Sequence, residues 1–217
     1  MLASTIVVGE SLNRLRIMNT TENIETRRSI KHFNPEHVMP KEDLAELIRL
    51  TKLAPSSFNI QNYRLLVVRD KELRKKIRAA AWDQAHVTDA SVLFIMCADL
   101  NAHDTDPEEY WGHAPEDVQN ILGPMIKPFY EGNNELIRDE ANRSTALAGM
   151  TLMLAARELG YDSCPMIGFD KDAVSKLVNL PEGMMLGFMI PVGEQCKAAW
   201  ARGPRLPDEK VVIYDQF

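Results

Sequence analysis

The stretch TALAGMTLMLAA, residues 145–156, is apolar on nearly every side when it is drawn as a helix. It lies inside a longer helix predicted over residues 139–159, which Gly160 is expected to end. A helix that is apolar all round is buried at the centre of its protein. Arg143 and Arg157 flank the apolar core of this helix, which is shorter than the ~20 residues of a membrane span. The stretch therefore predicts a central, buried helix in a globular protein.

Short apolar runs on both sides of this helix predict strands. Residues 91–97 (SVLFIMC) are apolar on both faces, as an internal strand is. The other predicted elements are strands near residues 65–68, 163–167 and 184–192, helices from Pro40 and over residues 71–81 and 171–178, one or two helices within 101–132, and a β-prone tail over 206–217. Strands that alternate with helices indicate an α/β or α+β protein with four or five strands.

Charge and cysteine content restrict the kind of partner and the compartment. The 217 residues include 25 basic and 31 acidic side chains, so the formal net charge is −6. This balance argues against nucleic acid or an anionic membrane as the main partner, because both require clustered positive charge. Three cysteines without a C-x-x-C pair indicate a reducing, cytoplasmic setting. Residues 1–17 have no clear period, and two expectations stay open for them: a loose arm, or a natural start at Met18.

Several motifs that carry chemistry are absent from the sequence. There is no G-x-G, so the dinucleotide-binding fingerprint is missing, and the P-loop pattern G-x-x-x-x-G-K-[ST] is missing too. No His or Cys spacing indicates a metal site, and the G-x-S-x-G motif of hydrolases is missing. We therefore expect no metal and no catalytic nucleophile.

A basic cluster is the sharpest local signal. Residues 26–31 (TRRSIK) contain three cations and two hydroxyls in an acidic protein. Guanidinium groups and a hydroxyl suit a phosphate dianion, which they bind through charge-assisted hydrogen bonds. A solvated basic surface is the alternative, and these residues alone leave both readings open. Arg202 and Arg205 form a second small basic group in a Gly-Pro turn.

Four stretches, in order along the chain, resemble the signatures of the FMN-dependent nitroreductase family. They are residues 27–31 with Phe33, residues 54–57 with Asn59 and Gln61, residues 149–170, and residues 205–207. The resemblance implies an α+β fold with a central, mostly antiparallel sheet of four or five strands surrounded by helices. It also implies an N-terminal arm over residues 1–23, an FMN-binding domain over 24–217, and an intertwined homodimer with FMN in two interface pockets.

The resemblance assigns roles to individual residues around the flavin. Arg27 and Ser29 would bind the FMN phosphate, with Arg28 beside it and Arg205 closing on it, while Lys31 would lie near the flavin N1/O2 edge. The residues implied at the flavin ring are Pro55, Ser56, Ser57 and Asn59 from the other subunit, and Gln84, Pro165, Met166, Ile167 and Gly168. No catalytic side chain is implied, because the chemistry occurs at flavin N5.

Some positions depart from the family pattern. Asn62 stands where Pro is usual, Ile167 replaces Glu or Gly, and Gly203 replaces a Lys, for which Arg202 is a possible substitute. Asp83 and His86 fall where other members have amide or Lys contacts to the flavin. These departures affect the surroundings of the flavin more than its phosphate.

A substrate lid is expected within residues 101–132. It contains four aromatic residues, Tyr110, Trp111, Phe129 and Tyr130. The alternative is that these rings only pack the outer helices together. Neither reading identifies the substrate.

The resemblance implies an NAD(P)H-dependent FMN oxidoreductase that reduces nitroaromatics, quinones or related small electron acceptors by a ping-pong mechanism. The choice between NADH and NADPH stays open, since no ribose-phosphate signature is present. One alternative is a specialised relative such as a dehalogenase, an enoyl reductase or a flavin-fragmenting enzyme. Another is a non-catalytic FMN-binding module.

Overall fold

The computed structural model describes residues 18–217, so the arm expected over residues 1–17 lies outside the described residues. The first helix, α1, spans Thr20–Thr26. It begins after Asn19, whose side-chain oxygen accepts a 2.9 Å hydrogen bond from the Glu22 amide and so satisfies a free N–H group of the first turn. The domain boundary expected between residues 23 and 24 falls inside this helix.

Four strands form one sheet in the described part of the chain. They are β1 (Tyr63–Val68), β2 (Val92–Asp99), β3 (Asp162–Ser163) and β4 (Met184–Gly193). The strand order is β1-β2-β4-β3, and every neighbouring pair is antiparallel. The α+β class with a four- or five-stranded antiparallel sheet is therefore confirmed. Strand β3 is shorter than the predicted 163–167, because Pro165 has no amide hydrogen to continue the ladder.

The remaining helices surround this sheet. They are α2 (Lys41–Thr51), α3 (Lys71–Ala80), α4 (His86–Asp89), α5 (Glu108–Trp111), α6 (Glu116–Tyr130), α7 (Asn134–Glu158) and α8 (Lys171–Leu177). Helix α7 begins five residues earlier than predicted. The Asn133 side chain caps it by accepting a 3.0 Å hydrogen bond from the Leu136 amide, so its polar first turns also become helical.

Helix α7 is buried on one side only within a single chain. Ala148, Leu152 and Ala156 are fully buried against α2 and the sheet. On the opposite side, the Leu147 and Met150 side chains are 46% and 38% exposed. The predicted burial on all sides is therefore not reached within one subunit, and an apolar helix face is left uncovered.

The tail over residues 206–217 forms no strand in the described chain. Its only regular element is a 3₁₀ turn, Asp208–Lys210, and its residues are all exposed. A β-prone sequence becomes a strand only where a sheet edge supplies hydrogen-bond partners. Among the described helices, none is long and apolar enough to cross a membrane.

Candidate functional site

The basic segment, residues 27–32, is held between helix α7 and the sheet. The Asn23 side chain of α1 donates a 3.0 Å hydrogen bond to the Leu154 carbonyl of α7. After the helix ends, the Ile30 amide donates a 3.0 Å bond to the Ser163 carbonyl of β3. The Ile30 side chain is buried, while the Ser29 and Lys31 side chains point outward and are exposed. Packing of Ile30 therefore fixes which neighbouring side chains face solvent.

The C-terminal segment, residues 197–205, runs beside the basic segment. The Cys196 amide donates a 3.0 Å hydrogen bond to the His32 carbonyl, and the Asn34 amide donates a 2.8 Å bond to the Glu194 carbonyl. These backbone bonds bring two segments together that are about 170 residues apart in sequence.

A cavity of about 380 Å³ lies between the two segments and is called the cationic cavity below. Among the described residues, its lining has six Lys or Arg side chains and no carboxylate. The lining residues are Arg27, Arg28, Ser29, Lys31, His32, Lys197, Ala198, Ala199, Trp200, Ala201, Arg202, Gly203 and Arg205. Such an excess of positive charge in a protein of net charge −6 favours an anionic ligand.

Arg27 is the most confined of these cations. Its Nη1 atom is buried and has no hydrogen-bond partner among the described residues. Burial lowers the pKa of the Arg27 guanidinium, and the neighbouring charges of Arg202, Arg28 and Arg205 lower it further. A buried donor without a partner is costly, and so are four guanidinium groups that face one another. An anion in the cavity would relieve both costs.

Residues expected at the flavin ring form a second group beside the cavity. Met166 pairs with Met189 of β4 through two backbone hydrogen bonds of 2.9 and 3.0 Å, which position Pro165 on one side and Ile167 on the other. The Gln84 side chain donates a 2.7 Å hydrogen bond to the Gly168 carbonyl. Sequence positions that lie more than 80 residues apart are thus in direct contact.

Gly168 is the point of closest approach in this group. A Cβ atom there would lie 2.7 Å from Cζ3 of Trp82, so a larger residue would displace the indole ring. Trp82 and Asp83 both have positive φ angles, 54° and 56°, which non-glycine residues rarely adopt. Trp82 and Ile167 are 72% and 76% exposed and form an apolar rim.

Two buried groups near the expected flavin-ring residues, His86 and Cys164, are affected by the charge of Lys31. His86 is buried, and its Nε2 atom has no hydrogen-bond partner among the described residues. Burial lowers the pKa of His86, and the charge of Lys31 lowers it further. Burial raises the pKa of the Cys164 thiol, while the charges of Lys31 and Arg27 oppose that rise. The charge of Lys31 therefore acts on both His86 and Cys164.

The loop over residues 55–61 lies with the expected lid and not with the cationic cavity. The Trp111 indole donates a 3.0 Å hydrogen bond to the Phe58 carbonyl, and the Asn59 side chain donates a 3.2 Å bond to the Tyr110 carbonyl. The Phe58 ring lies 5.1 Å from the Phe129 ring. Phe58, Trp111, Phe129 and Tyr130, with the loop that they hold, are called the aromatic cluster below.

The backbone of this loop is strained and is held in part by hydrogen bonds within the loop. Phe58, Asn59 and Gln61 have positive φ angles of 49°, 56° and 42°. The Ser56 hydroxyl accepts a 2.8 Å hydrogen bond from the Gln61 amide. Strained conformations persist where the surroundings over-determine them, and they are frequent at functional sites. In this loop Pro55 is exposed, so its ring is free to contact another molecule.

Ser57 and Tyr130 complete the aromatic cluster. Burial raises the pKa of the Tyr130 phenol, and the nearby Ser57 side chain partly offsets the rise. The Tyr130 hydroxyl is buried and has no hydrogen-bond partner among the described residues. The predicted lid residues therefore pack against the predicted flavin loop. None of the loop residues 55–59 lines the cationic cavity of the same chain.

Comparison with known proteins settles the family. The sequence profile of the Nitroreductase family matches residues 24–194. The chain belongs to the Nitroreductase family.

Two relatives and one solved structure illustrate how far the similarity to other nitroreductases extends. Protein DrgA of Synechocystis is 47% identical over 182 residues, which cover 84% of this chain and 87% of DrgA. MhqN of Bacillus subtilis, provisionally named an NAD(P)H nitroreductase, is 34% identical over 89% of this chain and 98% of its own length. The structure of a provisionally named nitroreductase from Exiguobacterium sibiricum, in complex with FMN, has 26% identity and a TM-score of 0.83, covering 90% of this chain and 97% of that chain.

Some residues of this nitroreductase site could not be identified from its sequence. Lys197 and His32 line the cationic cavity, and the only signal for them is their position beside the two basic groups. Trp82, which covers Gly168, had no signal at all. Among residues 18–217, no group of three or more His, Cys, Asp or Glu side chains is placed to hold a metal ion.

Proposed function

We propose that the protein is an FMN-dependent oxidoreductase that oxidises NADH or NADPH and reduces nitroaromatics, quinones or related small acceptors. The observation that carries this proposal is the buried, unpartnered Arg27 Nη1 atom in a cavity without a carboxylate in the described chain. A dianionic phosphate monoester supplies the acceptors and the charge that this cavity lacks. Three free cysteines agree with a cytoplasmic location.

The residues of the cationic cavity fit the phosphate end of FMN. The Arg27 guanidinium would donate to phosphate oxygens, the exposed Ser29 hydroxyl would donate from the same segment, and Arg205 would approach from the C-terminal segment. The family membership supports FMN over other phosphate esters, since a solved relative is described in complex with FMN.

Residues 165–168, together with Gln84, fit the isoalloxazine ring of FMN. Lys31 would hold positive charge at the N1/O2 edge, where reduced flavin is partly anionic. Gly168 has no side chain between its backbone and the exposed Trp82 ring, so its backbone would lie beside N5 if that ring moved aside. When bound, FMN supplies the atom that accepts a hydride from NAD(P)H and passes it to an oxidant. The protein binds and orients the reactants in one pocket, which each occupies in turn.

The proposed enzyme is a homodimer in which each pocket uses residues of both subunits. Support comes from the uncovered face of α7, where Leu147 and Met150 are exposed, and from the exposed apolar tail. A partner that covers this face would bring its loop 55–59 to the flavin. Sedimentation equilibrium of the purified protein should then give a stable dimer, and a monomer at micromolar concentration would contradict the shared pocket.

Turnover is tested by following NADH and NADPH oxidation at 340 nm with menadione or a nitroaromatic as acceptor. We expect flavin reduction by at least one nicotinamide and initial-rate patterns of parallel lines, which indicate ping-pong turnover. A protein that binds FMN but whose flavin is reduced by neither nicotinamide would contradict the enzyme assignment. That result would favour a binding module instead.

A further inference from the structure

Two arginines of the cationic cavity do not direct their hydrogen bonds into it. Arg202 donates from Nη2 to the backbone carbonyls of Glu25 and Arg27, at 2.6 and 2.8 Å. Arg28 donates from Nη2 to the backbone carbonyl of Trp200 at 2.5 Å. One arginine of the basic segment thus donates to the backbone of the C-terminal segment, and one arginine of the C-terminal segment donates to the backbone at the start of the basic segment. We call this reciprocal pair the arginine clasp.

The clasp fixes the backbone that carries the phosphate-binding side chain. Helix α1 ends at Thr26, so the carbonyl of Glu25 lies in its last turn, where carbonyls have no partner inside the helix. The Arg202 guanidinium satisfies that carbonyl together with the carbonyl of Arg27 itself. A cation at a helix C-terminus is also favoured by the helix dipole. Arg202 therefore sets the position of the Arg27 backbone.

Within one chain, little besides the clasp holds the C-terminal segment in position. Nearly all its residues are exposed, and the Trp200 side chain is 89% exposed. Ala199 alone in the segment packs against a buried cluster, formed by Ile30, Phe33 and Ala90 in the described chain. The clasp hydrogen bonds are therefore a large part of the contacts that keep the segment over the cavity.

Electrostatic repulsion opposes the same arrangement. Closing the clasp brings Arg202 and Arg205 up to Arg27 and Arg28, and these charges lower the pKa of Arg27. Among the described residues, none of these four arginines has a carboxylate partner. A ligand with two negative charges changes this balance, because it attracts all four guanidinium groups at once.

We infer that Arg28 and Arg202 are positioning residues, and that a phosphate monoester dianion in the cavity closes the arginine clasp and orders residues 197–205. The inference deepens the proposed function, which makes FMN the source of the phosphate. Without the dianion, the hydrogen bonds of the clasp compete with charge repulsion and the segment opens. Binding of the cofactor and ordering of the C-terminal segment are then thermodynamically linked.

Hydrogen exchange followed by mass spectrometry tests the linkage on the full chain. Flavin-free protein is compared with the same protein plus FMN, plus riboflavin, which lacks the phosphate, and plus inorganic phosphate. We expect peptides from residues 197–205 to be protected about 10-fold or more by FMN, and also by phosphate at high concentration. Riboflavin should leave them unprotected.

Variants separate positioning from simple binding. Arg202→Gln should still bind FMN, with an affinity reduced several-fold, but FMN should no longer protect residues 197–205. Arg202→Lys should restore part of that protection, and Arg69→Gln, which removes an exposed arginine outside the cavity, should behave as wild type. Undiminished FMN-induced protection in Arg202→Gln would overturn the inference.

The two proposals fail in different ways. If the wild type binds FMN and residues 197–205 exchange equally with and without it, the clasp is wrong and the proposed cofactor stands. If the wild type does not bind FMN, the proposed function fails. Hydrogen exchange with inorganic phosphate then tests the clasp by itself. Protection of residues 197–205 by phosphate supports the clasp, and unchanged exchange overturns it.

Discussion

The cationic cavity and the aromatic cluster are two parts of the proposed flavin site that are built in opposite ways. The cavity is made of like charges on exposed segments and contains a buried donor without a partner in the described chain. The aromatic cluster is made of packed rings, and the Phe58 carbonyl and the Asn59 side chain of its loop are hydrogen-bonded within the chain. Its own unpartnered buried group is the uncharged Tyr130 hydroxyl, in the described part of the chain. The cavity needs an anion to balance its positive charge, whereas the rings and the loop of the aromatic cluster are already packed together.

This difference indicates which part of the site changes on binding. A preformed loop loses little entropy when it contacts a cofactor, so it serves orientation and specificity. The like-charged side chains of the cavity repel one another until an anionic ligand binds, so this part of the site determines how tightly the cofactor is bound. In the proposed dimer each flavin joins the cavity of one subunit to the preformed loop of the other. Substitutions in the two parts should therefore have different consequences.

The largest effect is expected from Arg27→Ala in the cavity. It removes a charge-assisted phosphate contact, which costs about 1.5–3 kcal/mol or roughly a 10–150-fold loss of FMN affinity. Titration of flavin-free protein with FMN, followed by flavin fluorescence, measures the change. Arg49→Ala, which removes an exposed arginine paired only with Glu46, is the control and should bind FMN normally. Equal affinities for both variants would remove Arg27 from the site.

Mixing of variant subunits tests whether the cavity and the loop that contact one flavin come from different subunits. Pro55→Trp adds bulk to an exposed loop position and should block the partner's flavin, while Arg27→Ala disables the subunit's own cavity. Each variant alone should be nearly inactive. In randomly paired, co-expressed subunits about a quarter of the sites combine an intact cavity with an intact loop, so about that fraction of activity should return. No recovery would show that both parts serve the same subunit's flavin.

A smaller effect is expected from Lys31→Met, which keeps the side-chain stem and removes the charge. A pair of charges ~4 Å apart at an effective dielectric near 20 interacts by about 4 kcal/mol, of which we expect about 1–2 kcal/mol to survive screening. Since 30 mV corresponds to about 1.4 kcal/mol for two electrons, the flavin midpoint potential should fall by about 20–45 mV. Spectroelectrochemical titration measures this. Equal midpoints with FMN retained in both proteins would contradict the role given to Lys31.

The smallest effect is expected within the aromatic cluster. Trp111→Phe keeps a ring but removes the indole N–H that bonds to the Phe58 carbonyl, which should cost about 0.5–1.5 kcal/mol of unfolding free energy. For a chain of this size, each kcal/mol lowers Tm by about 2–4 °C. Differential scanning calorimetry of flavin-free protein checks this value. Trp200→Phe, at an 89% exposed position, is the matched control and should leave Tm unchanged.

Much of the fold could be predicted from the sequence because its elements have strong local patterns. Strand β2 is apolar on both faces and became the fully buried second strand of the sheet. Helix α2 begins where its proline and acidic first turn predict. The start of α7 could not be predicted because its polar first turns depend on the Asn133 cap. The tail is β-prone but forms no strand, because the described part of one chain offers it no sheet edge to pair with.

The site could be predicted less fully because its residues are selected by tertiary contacts. The basic cluster at residues 27–31 identified one wall of the cavity, but the opposite wall depends on backbone bonds such as that from the Cys196 amide to the His32 carbonyl. A guanidinium group can donate to a phosphate or to a backbone carbonyl. Sequence alone therefore could not show that Arg202 bonds to the end of α1.

The central claim, that the cationic cavity binds the FMN phosphate, is tested most directly by comparing FMN with riboflavin. The two flavins share the ring that the other parts of the site would contact, and only FMN has the phosphate. We expect flavin-free wild type to bind FMN at least about 10-fold more tightly than riboflavin, and Arg27→Ala to remove most of this preference. Equal affinity of the wild type for the two flavins, or an unchanged preference in Arg27→Ala, would contradict it.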